Sequence, residues 1–286
     1  MMGGTPIATQ SVLGAAPGVL ALHGFGATPQ EVLLVLEVAQ ELGLRALAPL
    51  LPGHGTTVEE LAQTRWSDWR RGANEALDQL GPGPVVVVGA SMGSLLALEL
   101  AMERPAAVLA LGVLASPIRL PTPFPSLALR LWCGVGAPDF NLPKSGPDIR
   151  DPVLRSNQVT YAAQPCYAGN EVRLAGERLR ARLHEIHCPA FIAHGRRDHV
   201  CPVSDARLIY RRLGTPAWEK QLLILPRSYH IITRDIERGV LRGELYRFLG
   251  RVAARAEAAL PSHQTPVEPY PPPALPVSDR LSATSS

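Results

Sequence analysis

The stretch Pro84–Ala101, which reads PVVVVGASMGSLLALELA, decides the fold. Its four consecutive valines are typical of a strand that is buried on both faces, and SLLALELA is typical of a buried helix. A core strand that runs straight into a core helix predicts an α/β architecture. Ser91 lies at the junction of these two elements, where a lone hydroxyl needs an explanation.

Glycine stands two residues before and two residues after Ser91, so the junction matches the pattern G-x-S-x-G of a nucleophile elbow. In such a turn the serine adopts a strained backbone conformation and its hydroxyl projects. A side chain at Gly89 or Gly93 would collide with the neighbouring strand or helix. The hydroxyl also lies at a helix N-terminus, where N–H groups favour developing negative charge. The sequence therefore predicts that Ser91 is a nucleophile.

Strand-like and helix-like segments alternate on both sides of this stretch. Strand-length apolar runs occupy residues 18–26, 44–55, 107–116, 188–198 and 220–226, and segments of helical period occupy 28–43, 67–81 and 237–260. The alternation predicts a mostly parallel sheet with helices on both faces. Thr28 and Ser67 are predicted to cap the first two of these helices.

Two segments break the alternation. Residues 117–186, approximately, combine many prolines and glycines with scattered large apolar side chains. An insertion of this size in a compact domain predicts a cap over a binding site. Residues 261–286 are rich in Pro and Ser, which predicts a disordered tail. We therefore predict one domain over residues 1–260, with the cap inserted in it, followed by the tail.

The composition excludes several classes of protein. The chain has 286 residues, 46% of them hydrophobic, and a net charge of +3 with both signs mixed, which argues against a nucleic-acid surface. No apolar run reaches the ~18 residues of a membrane span, so we expect no stable membrane insertion. The N-terminus lacks a signal-peptide pattern, and the four cysteines lack paired spacing. We expect a cytoplasmic protein with reduced thiols, and the oligomeric state stays open.

A serine nucleophile needs a base, and the base needs a carboxylate that orients it. His230 follows the predicted strand QLLILP, so it is expected at the carboxyl edge of the sheet, where ligands bind. Asp198 follows the strand in AFIAHGRRD, which gives the chain order serine, acid, histidine. We therefore predict a triad of Ser91, Asp198 and His230. Asp235 is the rival acid, although it resembles a helix-start residue.

The sequence LHGFG after the first clear strand predicts an oxyanion-binding turn, because its two glycines let the backbone approach a substrate carbonyl. The N–H of Phe25 would be one donor to the oxyanion. The N–H of Met92, the residue after the nucleophile, would be the other. Each donor of this kind contributes about 3–4 kcal/mol of transition-state stabilisation.

Metal binding is the main chemical alternative that the sequence raises. His184, His187, Cys188, His194 and His199 lie close together along the chain, and such a set could hold zinc. The helix end and alternating strand expected there point these side chains in different directions. We therefore predict no metal site and no cofactor.

Six stretches together resemble the α/β-hydrolase superfamily, namely LHGFGATPQE, LPGHG, DWRRGANEAL, GASMGS, HGRRDHVCP and SYHIITRDIER. More narrowly, they resemble the small bacterial carboxylesterases and monoacylglycerol lipases over about residues 18–256. The resemblance implies the α/β-hydrolase fold, with Ser91 as nucleophile, Asp198 as acid, His230 as base and the amides of Phe25 and Met92 in the oxyanion hole. It also makes the insertion a cap over an acyl pocket.

The chain departs from this family in two places. Tyr229 precedes the histidine where the family often has a small residue, so it could reshape the pocket. The Pro-rich cap leaves the acyl-chain preference open.

The resulting hypothesis is a serine hydrolase that cleaves carboxylic esters of a small-molecule or lipid substrate through an acyl-enzyme. The same triad could serve a thioesterase, an acyltransferase or a C–C bond hydrolase, because a fold does not determine its substrate. A hypothesis from another class is a hydrolase-like protein that binds a ligand without catalysis.

Overall fold

The computed structural model describes Thr5 and residues 7–9, 16–121, 132, 135 and 139–259. Two predicted segments lie outside the described residues: the tail, residues 261–286, and one part of the predicted cap, residues 122–138 apart from Trp132 and Val135.

A seven-stranded sheet forms the centre of the molecule, in the order β1-β3-β2-β4-β5-β8-β9. Only β1 is antiparallel to its neighbour among these strands. The strands of the chain are β1 Ile7–Thr9, β2 Gly18–Leu22, β3 Ala46–Ala48, β4 Val85–Ala90, β5 Val108–Leu114, β6 Asn141–Pro143, β7 Ala163–Pro165, β8 Ala190–Gly195 and β9 Lys220–Leu225. The predicted mostly parallel sheet is confirmed.

Strand β4 shows why the sequence places a run of valines here. Val85 and Val87 belong to the hydrophobic cluster on one face of the sheet, and Val86 and Val88 belong to the cluster on the other. Successive side chains of a strand point to opposite faces, so a central strand covered on both sides needs apolar residues at every position.

Helices cover both faces of the sheet. They are α1 Leu33–Glu41, α2 Val58–Gln63, α3 Trp66–Gln79, α4 Met92–Glu103, α5 Pro152–Ser156, α6 Cys166–Arg182, α7 Ser204–Arg212 and α8 Arg238–Ala258. Helices α1 and α8 contribute to the cluster with Val86, whereas α3, α4, α6 and α7 contribute to the cluster with Val87. The predicted helices on both faces are therefore confirmed.

Of the two predicted helix caps, one is at its expected position and one is wrong. Thr28 is the N-cap residue of a 3₁₀ turn over Pro29–Val32 that leads into α1, although its side chain makes no capping hydrogen bond. Helix α3 begins at Trp66, one residue before Ser67. Its start is instead supported by the Asp68 carboxylate, which accepts a hydrogen bond from the backbone N–H of Arg65 at 3.0 Å.

The described part of the predicted cap lies between β5 and β8. It contains the antiparallel pair β6–β7, the short helix α5 and the long helix α6. Helix α6 packs closely on the segment that follows β5, because a Cβ at Gly176 would lie 2.9 Å from the carbonyl oxygen of Pro117. No helix within the described ranges is long and apolar enough to cross a membrane.

Candidate active site

The turn between β4 and α4 has the strained geometry that its sequence predicts. Ser91 has φ 50° and ψ −121°, a backbone conformation that side-chain-bearing residues rarely adopt. A Cβ on Gly89 would lie 2.1 Å from the carbonyl oxygen of Gly93, and a Cβ on Gly93 would lie 2.2 Å from that of Leu22. Both glycines are therefore required by the close approach of backbone to backbone.

The three residues predicted as a triad meet at the carboxyl edge of the sheet. Ser91 Oγ lies 2.9 Å from His230 Nε2, and His230 Nδ1 lies 2.7 Å from Asp198 Oδ2. Asp198 follows β8 and His230 follows β9, so the parallel strands deliver the acid and the base to the edge where β4 delivers the serine. The geometry links a hydroxyl, an imidazole and a carboxylate in one hydrogen-bonded chain.

Asp198 is held by donors on both of its oxygens. Oδ1 accepts hydrogen bonds from the backbone N–H groups of Val200 at 2.7 Å and Cys201 at 2.8 Å. Oδ2 also lies 3.0 Å from Nε2 of buried His194. Burial raises the pKa of Asp198, but the charge of His230 and the hydrogen bonds from His194 and His230 outweigh it and hold the pKa below its ordinary value. The carboxylate is therefore ionised at neutral pH.

The imidazole of His230 is buried, and two opposing effects act on it. Burial lowers its pKa, whereas the charge of Asp198 raises it, and the net shift is well above the ordinary value. A positive charge on this ring is thus stabilised by the neighbouring carboxylate. That is the property required of a base that must carry a proton during a reaction.

Asp235, the rival acid, binds backbone instead of the imidazole. Its Oδ2 accepts the N–H of Tyr229 at 2.6 Å, and its Oδ1 accepts those of Arg150 at 3.0 Å and Asp151 at 3.1 Å. The fully buried carboxylate therefore ties the loop that carries His230 to the cap.

Asp148 is a functional candidate that the sequence did not reveal. Its Oδ2 accepts the backbone N–H of both His199 and His230 at 3.1 Å, and its Oδ1 lies 2.7 Å from Nδ1 of His199. A residue of the cap thus connects the loop of the acid with the loop of the histidine. The sequence carries no signal for this contact, because Asp148 and His230 are 82 residues apart.

The two predicted oxyanion donors flank the serine. Met92 is the first residue of α4, where the N–H has no acceptor within the helix. Phe25 follows Gly24, whose own N–H donates to Oε2 of buried Glu31 at 2.6 Å. A Cβ on Gly24 would lie 3.0 Å from the Cβ of Ser91, so this turn passes directly beside the nucleophile.

Two buried histidines support the same turn from behind. His23 Nε2 accepts the backbone N–H of Leu51 at 3.1 Å, and its Nδ1 lies 3.0 Å from the carbonyl oxygen of Gly24. Burial, followed by the nearby ring of His54, lowers the pKa of His23 to about 3. Burial likewise lowers the pKa of His54 to about 4. Both rings are therefore neutral and structural at ordinary pH.

A cavity of about 140 Å³ opens onto Ser91 and His230. Its lining includes the apolar residues Phe25, Pro117, Leu120, Val172 and Val200, which we call the apolar wall. It also includes the polar residues Glu31, Lys144, Asp148, Gln158, Thr160 and Gln164, which we call the polar wall. The residues from 117 to 172 in these sets belong to the predicted cap. Tyr229 does not line the cavity, and its ring packs against His199 with centroids 4.5 Å apart.

The histidines and cysteine considered for zinc are not brought together. In the described part of the chain, the one group able to offer a metal three ligands is Asp198, Cys201 and His230, whose ligand atoms lie within 4.8 Å of one another. This group consists of His230, which is hydrogen-bonded to Ser91, and two residues next to His230 Nδ1. Cys201 has a buried thiol 3.9 Å from His230 Nδ1, and burial raises its pKa, which keeps it protonated.

Three of the four cysteines are described, namely Cys166, Cys188 and Cys201, and Cys188 and Cys201 are free thiols. Cys133 lies outside the described residues.

Comparison with known proteins gives a family model that covers most of the chain. The model named Hydrolase_4, described as serine aminopeptidase S33, matches residues 15–237. The match includes all three residues of the Ser91, Asp198 and His230 constellation.

Individual relatives agree with this match. The chain is 29% identical to the thermostable monoacylglycerol lipase of Bacillus sp. (strain H-257) over 82% of this chain and 91% of the lipase. It is 26% identical to a carboxylesterase of Bacillus subtilis (strain 168) over 84% of this chain and 94% of the esterase. A solved structure from the metagenome-derived lipolytic enzymes LipS and LipT superposes with a TM-score of 0.78 at 30% identity, covering 87% of this chain and 98% of that chain.

Proposed function

The chain belongs to the Hydrolase_4 family, and from that premise we propose that it cleaves carboxylic esters through a triad of Ser91, His230 and Asp198. It is an ester hydrolase of the lipase and esterase type with the α/β-hydrolase fold.

One observation carries the proposal, which is the unbroken chain of hydrogen bonds from Ser91 Oγ through His230 to Asp198. His230 would take the proton of the serine hydroxyl as Ser91 attacks the ester carbonyl. The ionised carboxylate of Asp198 would stabilise the imidazolium that forms and hold Nδ1 protonated, so that Nε2 faces the serine as an acceptor.

The tetrahedral intermediate would place its negative oxygen between the N–H groups of Phe25 and Met92. The proposal assigns both donors to the backbone, where the glycines around them allow close approach. His230 would then give its proton to the departing alcohol, which leaves an ester between the acyl group and Ser91. Water activated by His230 would attack that ester and release the acid.

Residues 117–186 would act as the cap of this reaction. Support comes from the cavity, since Pro117, Leu120, Lys144 and Val172 line the same space as Ser91. The apolar wall would hold the acyl chain of a small-molecule ester substrate, and the cavity volume of about 140 Å³ favours short chains.

The test combines labelling with turnover. Wild-type protein and the Ser91→Ala variant are treated with a fluorophosphonate probe and assayed on p-nitrophenyl esters of increasing acyl length. We expect labelling only of the wild type, turnover with an optimum among the short chains, and a loss of about 10⁶-fold in kcat on substitution. Circular dichroism of the variant should match the wild type, because the substitution removes one oxygen.

Each other outcome points to a defined alternative. Labelling without ester turnover would indicate a different acyl substrate for the same serine, such as a thioester. Absence of both would favour a hydrolase-like protein that binds a ligand without catalysis.

A further inference from the structure

The polar wall of the cavity contains the ammonium group of Lys144, whose pKa is lowered by burial and raised by the charge of Glu31. Nζ of half-buried Lys144 donates to Thr160 Oγ1 at 3.0 Å, and that hydroxyl donates to the carbonyl oxygen of Gly26 at 3.2 Å. Lys144 forms no ion pair with any carboxylate that the structure describes. Burying a cation costs free energy unless a partner compensates it.

Neither acidic group of the same wall forms an ion pair with Lys144, although the charge of Glu31 acts on it. Glu31 uses one oxygen to accept the N–H of Gly24, and burial raises its pKa, which favours the neutral acid. Asp148 has both oxygens occupied by donors from His199 and His230. Two of the three N–H donors of Lys144 are thus left for a ligand.

Gln158 contributes a second polar group to this wall. Its side chain is buried, its Nε2 donates to the carbonyl oxygen of Val159 at 3.3 Å, and its Oε1 has no partner among the described residues. A buried acceptor without a donor is destabilising, and a ligand hydroxyl would relieve it.

The choice of lysine at this position is itself informative. Lysine occurs only at Lys144 and Lys220, although the chain has 28 lysines and arginines together. An ammonium is a compact point charge with three rotatable donors, which suits a small cavity.

We propose that Lys144 binds an anionic oxygen group of the substrate, a carboxylate or a phosphate, close to the ester that Ser91 attacks. Gln158 accepts a hydrogen bond from a hydroxyl of the same substrate. This inference rests on the proposed function, because the anion is recognised in the cavity of that reaction. The volume of about 140 Å³ restricts the polar part to a few heavy atoms.

Two pairs of esters test the inference on the full-length enzyme. The first compares p-nitrophenyl pentanoate with the mono-p-nitrophenyl ester of succinate, which places a carboxylate on the acyl side. The second compares 1-butyrylglycerol with 1-butyrylglycerol 3-phosphate, which places a phosphate on the alcohol side. The pair that responds identifies both the anion and its side.

We expect kcat/KM to favour the anionic ester by roughly tenfold or more in one pair, the gain typical of a charge-assisted hydrogen bond. Lys144→Met should bring that ratio to one or below, and Lys144→Arg should retain part of it. Lys220→Met is the matched control, since Lys220 lies at the start of β9 and stacks on Tyr210, outside the cavity. Its ratio should equal that of the wild type.

Wild-type enzyme that hydrolyses the neutral ester at least as well in both pairs would overturn the inference, whether or not the variants fold. An unchanged ratio in Lys144→Met would also overturn it. Neutral esters hydrolysed without this preference would leave the proposed function standing. Failure on all four esters, together with no fluorophosphonate labelling of Ser91, would refute the proposed function as well.

Discussion

The turn around Ser91 and the polar wall of the cavity lie side by side, yet they are specified in opposite ways. At the turn, a Cβ on Gly89 or Gly93 would come within 2.3 Å of backbone atoms of α4 or β2, so steric exclusion by the main chain determines the geometry. The polar wall instead depends on hydrogen bonds between distant segments, such as the one from Thr160 to Gly26, 134 residues apart.

This difference separates the reaction from its selectivity. The proposed nucleophile, Ser91, is placed by the packing of backbone against backbone, which leaves little freedom to vary. The polar wall can change one side chain at a time without disturbing that packing. The catalytic geometry should therefore respond to substitution by orders of magnitude, and the wall by smaller factors that depend on the substrate.

The largest effect tests the catalytic side of the comparison. Asp198→Asn should reduce kcat by about 10⁴-fold, because an amide would favour the wrong tautomer of His230. In the wild type the charge of Asp198 raises the pKa of His230, and the reaction needs the neutral ring. The rate should therefore fall as the pH drops through that raised pKa, and the variant's residual activity should extend to lower pH.

Steady-state kinetics between pH 5 and 9 would measure both effects. A variant that kept a near-normal rate would transfer the acid role away from Asp198, with Asp235 as the next carboxylate to examine. Asp235→Asn tests the rival acid directly. The carboxylate of Asp235 accepts backbone N–H groups and does not bind His230, so we expect this variant to keep the tautomer of His230.

An intermediate effect is expected where the two regions touch. Asp148→Ala removes the acceptor of the backbone N–H groups of His199 and His230, so the histidine should lose its exact placement. A displacement of about 1 Å costs on the order of 10²-fold in rate. We expect kcat and the rate of fluorophosphonate labelling to fall together by this factor, with little change in KM.

Asp151→Ala provides the matched control in the same segment of the cap. Its carboxylate accepts the N–H groups of Val153 and Leu154 at the start of α5, away from the histidine loop. It should cost about 1 kcal/mol of stability without slowing labelling. Equal kinetics for the two variants would show that Asp148 does not position the histidine.

The smallest effect concerns stability beneath the oxyanion turn. The pKa of His23 is lowered to about 3 and that of His54 to about 4, so the unfolded chain binds protons that the folded chain excludes below about pH 6.5. The contribution of these two neutral rings to the free energy of unfolding is therefore complete above that pH and declines as the pH falls. Each ring should contribute about 1.4 kcal/mol per pH unit to the decline.

Urea unfolding between pH 6.5 and 5 measures this slope above the range in which ordinary carboxylates titrate. His23→Gln should reduce the slope by one proton, and His184→Gln, at an exposed position, should leave it unchanged. A slope in the wild type no steeper than in His23→Gln would contradict the assignment.

The sequence predicted the features that depend on residue type and on spacing along the chain. The valine run, the elbow and the strand-end positions of Asp198 and His230 follow from spacing and periodicity, and the structure brings those side chains together. Helix starts were harder to predict from the sequence. Thr28 precedes a 3₁₀ turn and makes no capping hydrogen bond, and the start of α3 is supported by Asp68 instead of Ser67.

The remaining features of the site depend on contacts across the chain. Asp148 and His194 act on the histidine and the acid from positions that have no motif of their own. The cavity wall needs the cap folded against the first loop, as in the hydrogen bond from the N–H of Val159 to Gln30 at 3.2 Å. No periodicity within either segment predicts such a contact.

The hydrogen bonds of Asp148 and Asp235 have a consequence for building chimeras. They join residues 148–151 of the cap to residues 229–230 through backbone N–H groups in both directions. A cap transplanted from a relative would therefore have to bring residues 228–237 with it. The natural unit of recombination in this enzyme is thus two separate segments of the gene, inherited together.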